Sequence, residues 1–313
     1  MDFQKLKKGL IFSIFVGFFV FAGLSIYGDV GQLVEAFVIF DYDYLPFILM
    51  LAPLNYFFRY IKWSYYLKLI DVDIPRKENI LIFLSGLAMT ITPGKIGELL
   101  KAYLLKEKKG IPISSTAPLI IGERFTDGIS VMILAGIGSV AYKHGITILL
   151  LILLIVVAFI WVVQRPKLVY KLLELLSNIK FLRSFDSSMK NFYDKTYMIL
   201  QIKPLAFAVS IGVVSWFFEG VVIYLTTLAL GFELHLLACI FVVSFSFIIG
   251  ALSMMPGGLF AVEGSVVALL MMMGLTRDLS VATTIITRFS TLWLGVALGL
   301  VGLVAICKNR VDI

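Results

Sequence analysis

The sequence is short of charge, histidine and cysteine, and each shortage narrows what it can do. Charged residues make up only 15% of 313, against about 25% in soluble globular domains, which argues against a water-soluble fold, a disordered chain or a collagen-like rod. The 2 cysteines, Cys239 and Cys307, fall inside apolar stretches and offer no disulfide framework. The 2 histidines, His144 and His235, lie near loops on separate segments. No HExxH, CxxC, P-loop or Rossmann glycine fingerprint occurs, so no metal, no cofactor and no soluble-enzyme chemistry is expected. The net charge of +7 does not form a nucleic-acid surface, because the basic residues sit between apolar runs.

Long apolar runs are what the sequence does have. It is 60% apolar with a mean hydropathy of +0.99, and runs of about 20 residues, enough to cross roughly 30 Å of hydrocarbon as a helix, recur along it. We therefore expect an all-α polytopic membrane protein, a single integral domain over 1–313. About six full spans are expected, near 9–27, 45–62, 117–142, 146–163, 204–230 and 281–306. Two shorter runs are broken at Thr92-Pro93-Gly94 and at Met255-Pro256-Gly257-Gly258, and read as re-entrant or broken helix pairs. Of the 27 basic residues, only Lys143 and Arg277 fall in loops expected outside. By the positive-inside rule both termini are then cytoplasmic. The basic segment 165–203 reads as a cytoplasmic, surface-lying helical connector near anionic headgroups.

Two parts of the chain resemble each other, over about 45–142 and 204–306. In the first, Pro93-Gly94-Lys95-Ile96-Gly97-Glu98 is followed by Glu123-Arg124-Phe125; in the second, Pro256-Gly257-Gly258 and Glu263-Gly264 are followed by Thr287-Arg288-Phe289. Each is preceded by an aromatic span bearing a charge, Phe57-Phe58-Arg59 and Phe217-Phe218-Glu219. The first unit enters from inside and the second from outside, so the expected repeat is inverted. Many secondary transporters are built this way, with broken helices meeting at the substrate site.

Ionisable residues within or beside these segments are the functional signal. Lys95, Glu98, Glu123, Arg124, Asp127, Glu219, Glu263 and Arg288 would each cost about 2.5–3.5 kcal/mol in a bilayer if uncompensated. They must pair, face water or sit near an interface. On one reading Arg124 and Arg288 pair with Glu98, Glu123 or Glu263 and pin the two halves together. On the other, Lys95, Arg124 and Arg288 meet an anionic headgroup, helped by the half-helix N-termini and by Gly94, Gly257 and Gly258. Glu98, Glu123, Asp127, Glu219 and Glu263 then set the field or carry protons. The GxxxG at Gly295 and Gly299 reads as intramolecular packing.

The Pro-Gly-Lys-Ile-Gly-Glu break, the Glu123-Arg124-Phe125-Thr126-Asp127-Gly128 segment, Pro256-Gly257-Gly258 with Glu263-Gly264, and Arg288-Phe289 resemble the flippase-like family related to the transmembrane region of bacterial lysylphosphatidylglycerol synthases. In the two-part synthases, the resemblance implies, that region translocates the aminoacylated lipid made by a soluble domain. Here seven residues follow Ile306 and no segment reads as an acyltransferase domain, so lysyl-lipid synthesis is not expected. The reading is a non-enzymatic translocator of a lipid or polyprenyl phosphate in the cytoplasmic membrane, with membrane lipids as partners and no nucleic acid. Two alternatives stand: a transporter of a small soluble anion, and a noncatalytic membrane subunit of a lipid-modifying enzyme.

Overall fold

The computed structural model describes residues 3–139, 146–177 and 186–308, and among them every regular element is a helix. Helix α1 (Phe3–Tyr27) is followed by α2 (Val30–Ile39), turned by 92°. The acidic stretch after Tyr27 is thus partly helical. The Asp29 carboxylate caps α2 by accepting from Gly31 N at 3.0 Å, and Leu33 and Ala36 bury against Val281, Ala282 and Ile285.

The order long helix, short helix, break, short helix, long helix then occurs twice. The first set is α3 (Leu45–Leu69), α4 (Arg76–Leu87), a 3₁₀ turn over Pro93–Leu99, α5 (Leu100–Lys109) and α6 (Ile113–Ser139). Between the sets lie α7 (Ile146–Val163), α8 (Pro166–Ser177) and α9 (Asp186–Ile199). The second set is α10 (Ile202–Ala229), α11 (Leu236–Leu252), a turn over Pro256–Gly258, α12 (Ala261–Met272), and α13 (Arg277–Arg288) continued through a π-helical turn into α14 (Leu294–Lys308). The sets pack crosswise: α3 against α10, α4 against α14, and α6 against α11. Phe58 and Phe218, which match in the sequence comparison, meet with ring centroids 5.8 Å apart.

Among the described residues, two of the expected spans stand out by length and apolarity, Ile202–Ala229 and Arg277–Ile306; two pairs bent by 92° and 80° raise that to four if each is one span. Helices α3 and α6 are not short, at about 38 and 41 Å for a rise of 1.5 Å per residue. Their polar content sets them apart from those runs: Arg59, Lys62 and Lys68 on α3, and Glu123, Arg124 and Asp127 on α6.

Within the basic connector, α9 packs along α6. Ile199 fills a notch that Gly122 leaves, and the Asn191 amide donates to Ser114 and Ser115 at 3.0 and 2.8 Å. The new half-helices begin at Leu100 and Ala261, not at the prolines. After Pro93 the chain winds as a tighter 3₁₀ turn, tied by a bond from Gly97 N to Thr92 Oγ1 at 2.9 Å. After Pro256 the backbone is left-handed at Gly257, Gly258 and Phe260.

The two breaks touch. A Cβ on Gly257 would lie 3.2 Å from Ile91 Cα, so only glycine lets the segments approach this closely. The GxxxG pair faces inward: a Cβ on Gly299 would strike the Ala88 backbone, and one on Gly295 the Tyr56 hydroxyl. Gly299→Leu should therefore destabilise the protein by about 1–3 kcal/mol through overpacking. Gly264→Ala, where an added Cβ meets nothing within 4 Å, should leave the melting temperature unchanged or slightly raised. Thermal unfolding in detergent, each variant against the parent, checks both.

Candidate functional site between the two breaks

Nine ionisable side chains are buried among the described residues, Arg59, Lys62, Lys101 and Arg288 against Glu98, Glu123, Asp127, Glu219 and Glu263, and Arg124, with a side chain 20% exposed, stands among them. A helix brings only i+3 and i+4 neighbours together, so most partners come from other elements. Lys62 on α3 reaches Asp127 on α6 at 2.5 Å. Lys101 on α5 pairs with Glu123 on α6; its stem runs past Gly86, where a Cβ would be 2.8 Å away, and its ammonium sits 4.2 Å from the Trp63 ring centroid. Arg124 stands 3.5 Å from Glu98 and 3.2 Å from Asp127.

In the second set, Arg288 Nε donates to Glu263 at 2.6 Å and its Nη2 donates to the Gly257 carbonyl at 3.0 Å. The guanidinium thus ties α13 to both α12 and the break. Glu219 on α10 accepts from the Asn55 amide of α3 at 3.3 Å. The Tyr56 hydroxyl donates to the Thr291 carbonyl at 2.5 Å, in the π-helical turn. The Glu98–Arg124 and Glu263–Arg288 pairs, matched by spacing in the sequence, are both ion pairs.

Arg124 differs from Lys62, Lys101 and Arg288 in one respect. Its Nε, Nη1 and Nη2 are buried and none makes a hydrogen bond of normal geometry, although carboxylates lie nearby. It lines a cavity of about 180 Å³ bounded by α6, α11 and the second break, with Asp127, Gly128, Trp216, Gly257 and Gly258 on its walls. Gly257 and Gly258, candidates from the sequence, both line this cavity. Trp216, Phe247 and Gly257 also border a smaller polar space of about 50 Å³ lined by Arg59, Glu219 and Arg288. Of the remaining candidates, Gly94 and Lys95 lie outside the described side chains.

Three site residues fall outside the candidates the sequence offers: Arg59 stands there only as the charge on an aromatic span, and Lys62 and Lys101 belong to neither motif. Spacing held the signal: Arg59 and Lys62 are i,i+3, as are Glu98 and Lys101, and Trp63, Tyr65 and Tyr66 carry α3 on past Lys62.

Comparison with known proteins places these motifs in a family. The model of the lysylphosphatidylglycerol synthase TM region matches residues 9–299. A UPF0104 membrane protein of Methanothermobacter thermautotrophicus is 24% identical, covering 93% of this chain and 94% of its own length. A second from the same organism is 22% identical, with 95% and 92% covered. One from Methanocaldococcus jannaschii is 24% identical over 64% of this chain and 85% of its own.

Removing one partner of a buried pair strands the other charge, at about 3–5 kcal/mol. Arg288→Leu should cost that much, and adding Glu263→Leu should recover most of it. Unfolding of the single and double variants in mixed detergent–SDS micelles checks this. A double variant no more stable than the single would remove the ion pair as the reason.

Proposed function

The chain belongs to the family of the lysylphosphatidylglycerol synthase transmembrane region, and from that premise we propose that it translocates a lipid or polyprenyl phosphate across the cell membrane. The observation that carries the reading is Arg124: a guanidinium without a hydrogen bond, on the wall of a cavity where the second Pro-Gly break ends. Buried donors are nearly always hydrogen-bonded; Glu98 and Asp127 stand close enough to balance the charge, and an oxygen acceptor in hydrogen-bond geometry is what the donors would take.

An amphiphile is favoured over a free solute by a second cavity. A groove of about 940 Å³ lies between α1 and α12, lined by Phe19, Val20, Leu24, Val267 and Met271, with Glu263 on its wall. Met255 lines both this groove and the Arg124 cavity, so a headgroup at Arg124 has an apolar path beside it for its chain. An added anion upsets a balanced set of charges. Glu98, Glu123, Asp127, Glu219 and Glu263 are the groups that restore balance by taking a proton, while Arg288 and Lys95 supply further positive charge.

The twofold element order and crosswise packing fit two halves of opposite membrane orientation, rocking about the touching breaks. Re-entrant breaks, several spans and cytoplasmic termini complete the proposed topology, with basic loops inside. No covalent step is part of the proposal; the protein moves its substrate unchanged. In proteoliposomes, Arg124→Ala should slow leaflet exchange of labelled polyprenyl phosphate by at least about tenfold, the worth of one charge-assisted hydrogen bond. Exchange unchanged at equal protein level would contradict the assignment.

A further inference from the structure

Helix α8 has three faces where an ordinary surface helix has two. Val169, Tyr170 and Leu173 pack on the core beside Tyr193. Lys167, Lys171 and Glu174 are exposed and fall within about 60° of one another around the axis. Leu168, Leu172 and Leu175 form a third row, equally narrow, and are 42%, 47% and 58% exposed. The helix cannot roll to bury that row, because its inner face is pinned. The Tyr170 hydroxyl donates to Asp194 on α9, and the Tyr170 and Tyr193 rings meet with centroids 5.3 Å apart. Helix α9 is itself seated on α6, with Ile199 at Gly122.

The leucine row continues a larger apolar surface. Leu150, Leu154, Val157 and Trp161 share one face of α7 and are exposed, a face that only acyl chains can cover in an isolated membrane protein. Helix α7 has 18 residues and is about 27 Å long, close to the roughly 30 Å of hydrocarbon in a bilayer. It therefore nearly completes a crossing before α8 leaves at 80°. At the corner the Arg165 guanidinium lies 4.6 Å from the Trp161 ring centroid, a pairing suited to headgroup level. Sinking α8 deeper would bury Lys167, Lys171 and Glu174, while lifting it into water would expose three leucines. Both are avoided only in the plane of the interface.

We infer that α8 is an interfacial helix bound to an anionic lipid surface. Leu168, Leu172 and Leu175 sit among the acyl chains, and Arg165, Lys167 and Lys171 meet the headgroups. Three cations against one acid over 165–175 select an anionic surface. Within the basic connector the contact belongs to α8, because α9 is held by protein.

Nitroxide labels on the full chain in nanodiscs of phosphatidylcholine and phosphatidylglycerol test the placement. Leu172→Cys and Lys171→Cys are each made with Cys307→Ala, and the chain carrying Cys307→Ala alone gives the background from buried Cys239. The label at 172 should be reached by oxygen and not by a water-soluble nickel chelate, about 5–10 Å below the phosphates. The label at 171 should be reached by the chelate. Chelate access at 172 equal to that at 171 would put the row in water and overturn the inference. A label at 172 shielded from both reagents would also overturn it, since a second copy of the chain would then cover the row.

Quenching of Trp161 by brominated lipid in phosphatidylcholine vesicles tests the charge preference and needs no cysteine variant. Trp161→Phe subtracts the other three of the 4 tryptophans. Brominated phosphatidylglycerol should quench more than brominated phosphatidylcholine. Lys167→Gln with Lys171→Gln, at exposed positions, should lower that preference at least about fivefold, the scale of one lysine at an anionic surface. Equal quenching by the two lipids, or a preference that survives both substitutions, would overturn the anionic assignment.

Discussion

The cost of placing charge where water is scarce organises this protein. An isolated ion in a membrane interior is expensive, and a helix can offer it partners only at i+3 and i+4. The cheap solution is a partner from another helix, and each such pair then fixes two helices together. Lys62–Asp127 joins α3 to α6, and Lys101–Glu123 joins α5 to α6. Arg288 joins α13 to α12 and, through the Gly257 carbonyl, to the break. The bond from Asn55 to Glu219 joins α3 to α10 across the two sets. Such pairs are weak evidence for stability in themselves; what they specify is which helices lie side by side.

Arg124 stands apart within that network. Its neighbours are close enough to hold its charge, yet its donors remain unbonded. The other buried cations with a carboxylate in hydrogen-bond reach, Lys62, Lys101 and Arg288, are hydrogen-bonded to it. That contrast is the ground for proposing a ligand at Arg124. Its cavity sits beside the touching breaks.

Much of this was legible in the sequence, for physical reasons. A Pro-Gly pair inside an apolar run must interrupt a helix, so both breaks could be read directly. Glu98 with Arg124, and Glu263 with Arg288, could be matched because buried charges need partners and the spacings agree. Other features depended on tertiary context. Lys62 looks like the end of a span until Asp127 appears opposite it. The turn of α2 against α1 follows from a cap at Asp29 and a packing partner on α13. The burial of α9 depends on a notch at Gly122, a residue on another helix. Length and apolarity alone single out two spans among the described residues, or four with the bent pairs, because α3 and α6, though long enough, carry the charges that pair at the centre.

The family of the chain and the geometry of its centre agree on a membrane protein whose interior handles charge. The account turns on whether an anion sits at Arg124. Cryo-electron microscopy of the full chain in nanodiscs, with and without farnesyl phosphate, tests that directly. The account predicts added density between α6, α11 and the second break, with phosphate oxygens about 3 Å from the Arg124 nitrogens. Density for the phosphate elsewhere, with the Arg124 donors closed onto Glu98 and Asp127, would contradict it.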